Sequence, residues 1–125
     1  MPIYFYIPDP EAADLKLPMD AERLLRCLGV TGRLAGFRQA IYMVERVRED
    51  ETCIQSITKC LYPETAKRFG TSAPSVERNL RTVIRACWKQ VDHNLLEHIA
   101  GSALEQLPTN KDFIDMLAGF LRRLQ

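Results

Sequence analysis

The residues with the clearest chemical reach are Arg78, Arg81, Arg85 and Lys89, four cations spaced three or four apart. At about 100° per residue they share one face of a helix with Pro74, Ser75 and Thr82. A row of guanidinium and ammonium groups neutralises phosphates, and an arginine fork can also pair with the edge of a guanine. The opposite face carries Val76, Leu80, Val83, Ile84, Cys87 and Val91, with Trp88 at its edge, and belongs in a core. Glu77 lies near the border between the two. From Lys67 to Lys89 the cations are Lys67, Arg68, Arg78, Arg81, Arg85 and Lys89, against Glu77 alone, a local balance of +5 in a chain whose net charge is +1.

A basic helix face is by itself more often a solvated surface than a nucleic-acid contact, so what precedes it matters. Pro63 cannot donate a backbone hydrogen bond and suits the first turn of a helix, where Glu64 favours the positive end. Ala66 and Phe69 can face inward while Lys67 and Arg68 stay wet, and Gly70 ends the helix where a positive φ is needed. Thr71 and Ser72 offer side-chain oxygens to the next helix start, and Pro74 is tolerated in its first turn, so a second helix begins near Ala73. A short helix, a glycine turn and a basic helix over about 63–90 make a helix-turn-helix, the geometry that presents a second helix to the major groove.

The runs SITKCLYPETAKRF (Ser56 to Phe69) and VERNLR (Val76 to Arg81), then Ile84, Trp88 and PTNKDFIDM (Pro108 to Met116), carry a wider likeness. In order and spacing they resemble the C-terminal effector domain of the master sporulation response regulator of endospore-forming bacteria. The similarity runs without gaps from about Leu25 to Ala86 and resumes at Pro108. The resemblance implies sequence-specific binding of double-stranded DNA, with the basic helix in the major groove, at short boxes of the TGNCGAA type that often occur in tandem. It places Arg78 where the family has a base-reading arginine, and Glu77 where a glutamate can accept from a cytosine amino group. Arg81 and Thr82 fall where phosphate contacts steady the helix; Arg85 and Lys89 continue that face on the reading of this sequence alone.

Two departures stand out. The family usually has serine then arginine before its Val-Glu-Arg, whereas this chain has Pro74 and Ser75. An arginine fork is lost there, so a related but altered or more permissive box is expected. The family's effector domain also follows a phosphoacceptor receiver domain, for which 125 residues leave no room. The chain is then an excised domain or a stand-alone relative controlled by abundance or a partner, and Met1 with its unfamiliar N-terminal segment points to the latter. Tandem boxes suit a dimer or two adjacent monomers. The apolar last helix is the candidate contact surface unless the core uses it. A competing class is a helix-turn-helix interaction module that binds RNA polymerase or a full-length regulator without reading DNA.

The remainder bounds these readings. Composition is that of one globular domain, with 46% hydrophobic and 26% charged residues, and no apolar run approaches a membrane span. The start MPIYFYIPDPEAAD lacks the cationic flank and long apolar centre of a signal peptide, so the cytoplasm is the expected compartment. Cys27, Cys53, Cys60 and Cys87 form no CxxC pair and read as reduced thiols, most of them buried. His93 and His98, five apart, point about 140° away from each other on a helix. No metal pattern, cofactor loop or nucleophile with a base emerges, so no enzyme activity is expected.

Residues 1–18, with Pro2, Pro8, Pro10 and Pro18, read as an irregular extension or a short strand over Ile3 to Ile7. It would lie on the helical body or reach a neighbouring subunit. Residues 19–125 read as an all-α, compact domain of about six helices. The first is capped by Asp20 and stops at Gly29; the second runs from about Arg33 to Glu49; a short third covers Cys53 to Leu61. After the helix-turn-helix come Asn94 to Ala100, closed by Gly101, and a last helix opened by Thr109 or Asn110. That helix buries Phe113, Ile114, Leu117, Phe120, Leu121 and Leu124.

Overall fold

A computed structural model describes residues 19–90 and 93–124, and these are all-helical, with no strand among them. The readings for residues 1–18 and for Val91 lie outside this range. Six α-helices occur among the described residues: α1 (Ala21–Cys27), α2 (Phe37–Glu49), α3 (Tyr62–Phe69), α4 (Ala73–Trp88), α5 (Asn94–Ala100) and α6 (Asn110–Arg123). Between α2 and α3 the chain forms a 3-10 segment, Glu51–Ser56, and one π turn, Ile57–Leu61.

The caps follow local chemistry. Asp20 accepts from the Arg23 amide at 2.9 Å, Ser72 from the Ser75 amide at 3.3 Å and Thr109 from the Asp112 amide at 3.1 Å, each satisfying a donor left over in a first helical turn. Gly70 and Gly101 close α3 and α5 at φ 66° and 82°, where a Cβ would be strained.

Two expected elements differ, and so does the place of Phe69. The second helix starts at Phe37 rather than Arg33, because the chain between Thr31 and Phe37 makes tight turns, Leu34 to Thr31 and Phe37 to Leu34. Two glycines in that stretch, Gly32 and Gly36, lower its helix propensity. The short third helix is instead the 3-10 segment followed by the π turn. Pro63 has no N–H to return to Lys59, so the regular ladder cannot pass through it, and the wider turn sits just upstream. Phe69, expected to face inward, is 37% exposed on the last turn of α3, where it meets Tyr42 edge-on at 6.0 Å. Thr65 takes an inward place instead, fully buried because its hydroxyl donates to the Leu61 carbonyl at 2.7 Å.

The core is organised by α2 and α6, which pack on each other most extensively and bring the helix-turn-helix, α1, α5 and the 3-10 segment around them. Phe37, Met43, Leu24 and Leu25 fill it from one side and Phe113, Ile114, Leu117 and Leu121 from the other. The apolar face of α6, the candidate contact surface for a second copy, is thus used within the chain, and only Leu124 at its end remains exposed at 39%. Leu124 therefore departs from the expected burial, since it caps the helix beyond its last packed turn.

The thiols also depart from expectation. Cys87 alone is buried, Cys27 and Cys53 are half-buried, and Cys60 is exposed in the π turn; all four are free. Burial pushes the Cys87 thiol up to about 12 and raises those of Cys27 and Cys53, which favours the protonated form of all three.

Candidate nucleic-acid interface

Helix α4 presents the two faces its spacing implies. Val76, Leu80, Val83, Ile84 and Cys87 are buried, while Pro74, Arg78, Arg81, Thr82, Arg85 and Lys89 are exposed and Ser75 and Glu77 are half-exposed. From Pro74 to Lys89 this polar face runs about 22 Å, or 1.5 Å per residue. Lys89 sits just past the last helical residue, as the C-cap.

The structure joins the sequence-derived residues into two small groups. Ser72 Oγ and Ser75 Oγ are 2.9 Å apart, and Arg78 Nη2 donates to Ser75 Oγ at 3.2 Å, so a line of hydroxyls backs the Arg78 guanidinium. Thr82 donates to the Arg78 carbonyl at 3.2 Å, which ties its hydroxyl to the helix backbone. On the adjacent flank, Arg81 and Glu77 pair at 3.1 Å. Both are about half exposed, which makes this a weak pair that can exchange partners. Arg85 and Lys89 form no ion pair among the described residues.

Four ties fix the helix-turn-helix, α3 and α4 together, to the body, and none of them was read from the sequence. Asn79 Nδ2 donates to Gln39 Oε1 at 3.2 Å, joining α4 to a buried glutamine of α2. Asn110 Nδ2, at the start of α6, lies 3.1 Å from both the Tyr62 hydroxyl and the Glu77 carbonyl, and so holds α3, α4 and α6 together. Glu64 accepts from Arg46 and from the Tyr42 hydroxyl, each at 2.9 Å, clamping α3 to α2. The Arg46 hydrogen bond, then that from Tyr42, lowers the Glu64 carboxyl below its ordinary value. Its modest, solvent-screened contribution is present above the usual glutamate range and lost as pH falls through the lowered value. The fourth tie is a close approach: at Gly36 a Cβ would stand 2.5 Å from the Asn79 carbonyl oxygen.

Gly36 is therefore in place for the distance between two backbones rather than for its φ, which is an ordinary −84°. Gly36→Ala is expected to force α4 away from the start of α2, at about 1–3 kcal/mol of stability as in other overpacked interiors. Urea unfolding monitored by circular dichroism reads that shift; an unchanged midpoint would show that the contact relaxes freely.

A row of guanidinium and ammonium groups on a helix held rigidly from behind, with a tight turn at its base, is able to meet an anionic backbone and base edges together. Asn110 lies within the PTN run that marked the resemblance, so a signal for it existed, although it read only as a possible helix start. In comparison with known proteins, the family model described as the C terminal of the sporulation initiation factor Spo0A matches residues 21–121, from the first residue of α1 into the last turns of α6.

Proposed function

Since the chain belongs to the family of C-terminal domains of the sporulation initiation factor Spo0A, which are helical DNA-binding domains of transcription regulators, we propose that it reads duplex DNA through α4 in the major groove. The observation that carries this reading is the exposed cationic face of α4, with α3 and the Gly70 turn at its base and no carboxylate other than Glu77 on the helix. In this reading Arg78 pairs bidentately with O6 and N7 of a guanine in a TGNCGAA-like box. Glu77 turns from Arg81 to a cytosine amino group. Arg81, Thr82, Arg85 and Lys89 meet phosphates and set the register of the helix. Tandem boxes would seat two copies side by side. RNA polymerase is then the partner through which a bound copy acts on transcription.

Ser75 bears on which box is preferred. Its hydroxyl steadies Arg78 but cannot make a guanidinium fork of its own. Ser75→Arg is expected to sharpen preference for a TGTCGAA duplex over a scrambled one by about 5- to 150-fold, the worth of one good bidentate contact. Equal preference in the two proteins would remove Ser75 as the source of an altered code.

The reading as a whole is tested by fluorescence anisotropy on a duplex carrying two TGTCGAA boxes and on a scrambled duplex, at two salt concentrations. A preference for the boxes, with affinity falling steeply as salt rises, is the expected result. Binding to neither duplex would overturn it and turn attention to a protein partner.

A further inference from the structure

Beside α4, on the flank that carries Arg81 and Arg85, the surface opens into a groove of about 400 Å³ whose far wall is the start of α6. Arg81 and Arg85 line it from α4, Thr58 from the π turn, Thr109 from the cap of α6, and Asn110 and Lys111 from its first turn. Glu77 is the one carboxylate among the described lining residues, and its charge is already met by Arg81 at 3.1 Å. Arg85 and Lys111 are exposed and make no ion pair among the described residues. The groove therefore holds a net positive charge contributed by two helices far apart in sequence.

We propose that this groove is a phosphate shelf, in which Lys111 and Arg85 hold the backbone of one DNA strand bordering the major groove that α4 enters. The inference rests on the reading of α4 above and extends it to a residue outside the helix-turn-helix. An α-helix with its side chains is about 10–12 Å across and the major groove about 12 Å wide, so a helix seated there has a sugar-phosphate strand against each flank. The strand on the α6 side then passes the opening of this groove. Lys111 suits that role as a compact, flexible point charge that meets a phosphate without reading a base. Asn110, already committed to Tyr62 and the Glu77 carbonyl, keeps the wall that carries Lys111 in place.

The test is Lys111→Gln in the full chain, with anisotropy on the two-box and scrambled duplexes from 50 to 200 mM salt. Lys111 is exposed at the second position of α6, so the substitution leaves the core intact. Loss of one phosphate contact makes the plot of log affinity against log salt shallower by about 0.9, so affinity weakens about 3.5-fold less over that fourfold range. The change is expected on both duplexes equally, with their ratio preserved. An unchanged slope, or an effect confined to the two-box duplex, would overturn the shelf while leaving the reading of α4 standing. If the unsubstituted chain binds neither duplex, the reading of α4 fails, and the shelf with it.

Discussion

Arg78→Ala is expected to erase preference for a two-box duplex over a scrambled one while leaving the fold intact. Arg78 is exposed, and among the described residues its guanidinium donates to the Ser75 hydroxyl alone, at 3.2 Å, so its removal opens no cavity and strands no buried group. Surface substitutions of that kind stay within about 0.5 kcal/mol of the parent in stability. The effect on recognition is larger. A bidentate arginine–guanine pair discriminates by about 1–3 kcal/mol per site, roughly 5- to 150-fold in relative affinity, and two boxes carry two such pairs. Affinity for the scrambled duplex should fall only by what one exposed cation adds to phosphate attraction. Anisotropy on the two duplexes separates the outcomes: a parallel loss on both would assign Arg78 to the phosphates, and the base-reading role would have to move elsewhere on α4.

Phe113→Ala should do the reverse. The ring is fully buried on the first turns of α6, the helix that α1, α2, α4 and α5 all touch. Truncating a buried phenylalanine removes its transfer free energy and leaves a cavity, about 3–5 kcal/mol together. Small domains are stable by about 5–15 kcal/mol, so this single change can take most of the margin. In urea the midpoint should drop with the slope unchanged, and DNA binding should fail only as the fraction folded falls. Leu124→Ala, at the exposed end of the same helix, should leave the midpoint where it was. A cost below about 1 kcal/mol for Phe113→Ala would mean that α6 is not the centre of the core. The two substitutions, compared in both assays, separate loss of a contact from loss of the scaffold.

Much of this was legible in the sequence because it is local. Gly70 ends α3 and Ser72 caps α4 through contacts within three or four residues, and the apolar rows of α4 and α6 repeat at the helical period. The Glu77–Arg81 pair was open to the same kind of reading, since an acid four residues before a base on a helix is a known pairing. Phe69 and Leu124 were misplaced for a related reason. Periodicity says which side of a helix is apolar, but it does not say whether another element reaches far enough to cover its last turn.

Residue type and short spacing are enough for most of the helices, for the basic face of α4 and for the kinship carried by the runs around it. What holds that face in position, and what stands beside it, depends on packing between elements. Gly36 meets Asn79, Gln39 meets Asn79, Glu64 meets Arg46, and Asn110 meets Tyr62 and Glu77 across intervals that no local rule spans. Lys111 likewise comes alongside Arg81 and Arg85 only because α6 packs against α2 and α4. Backbone propensity and side-chain period act within a turn or two, whereas close approach and a shared groove exist only once the helices have buried their apolar faces against one another.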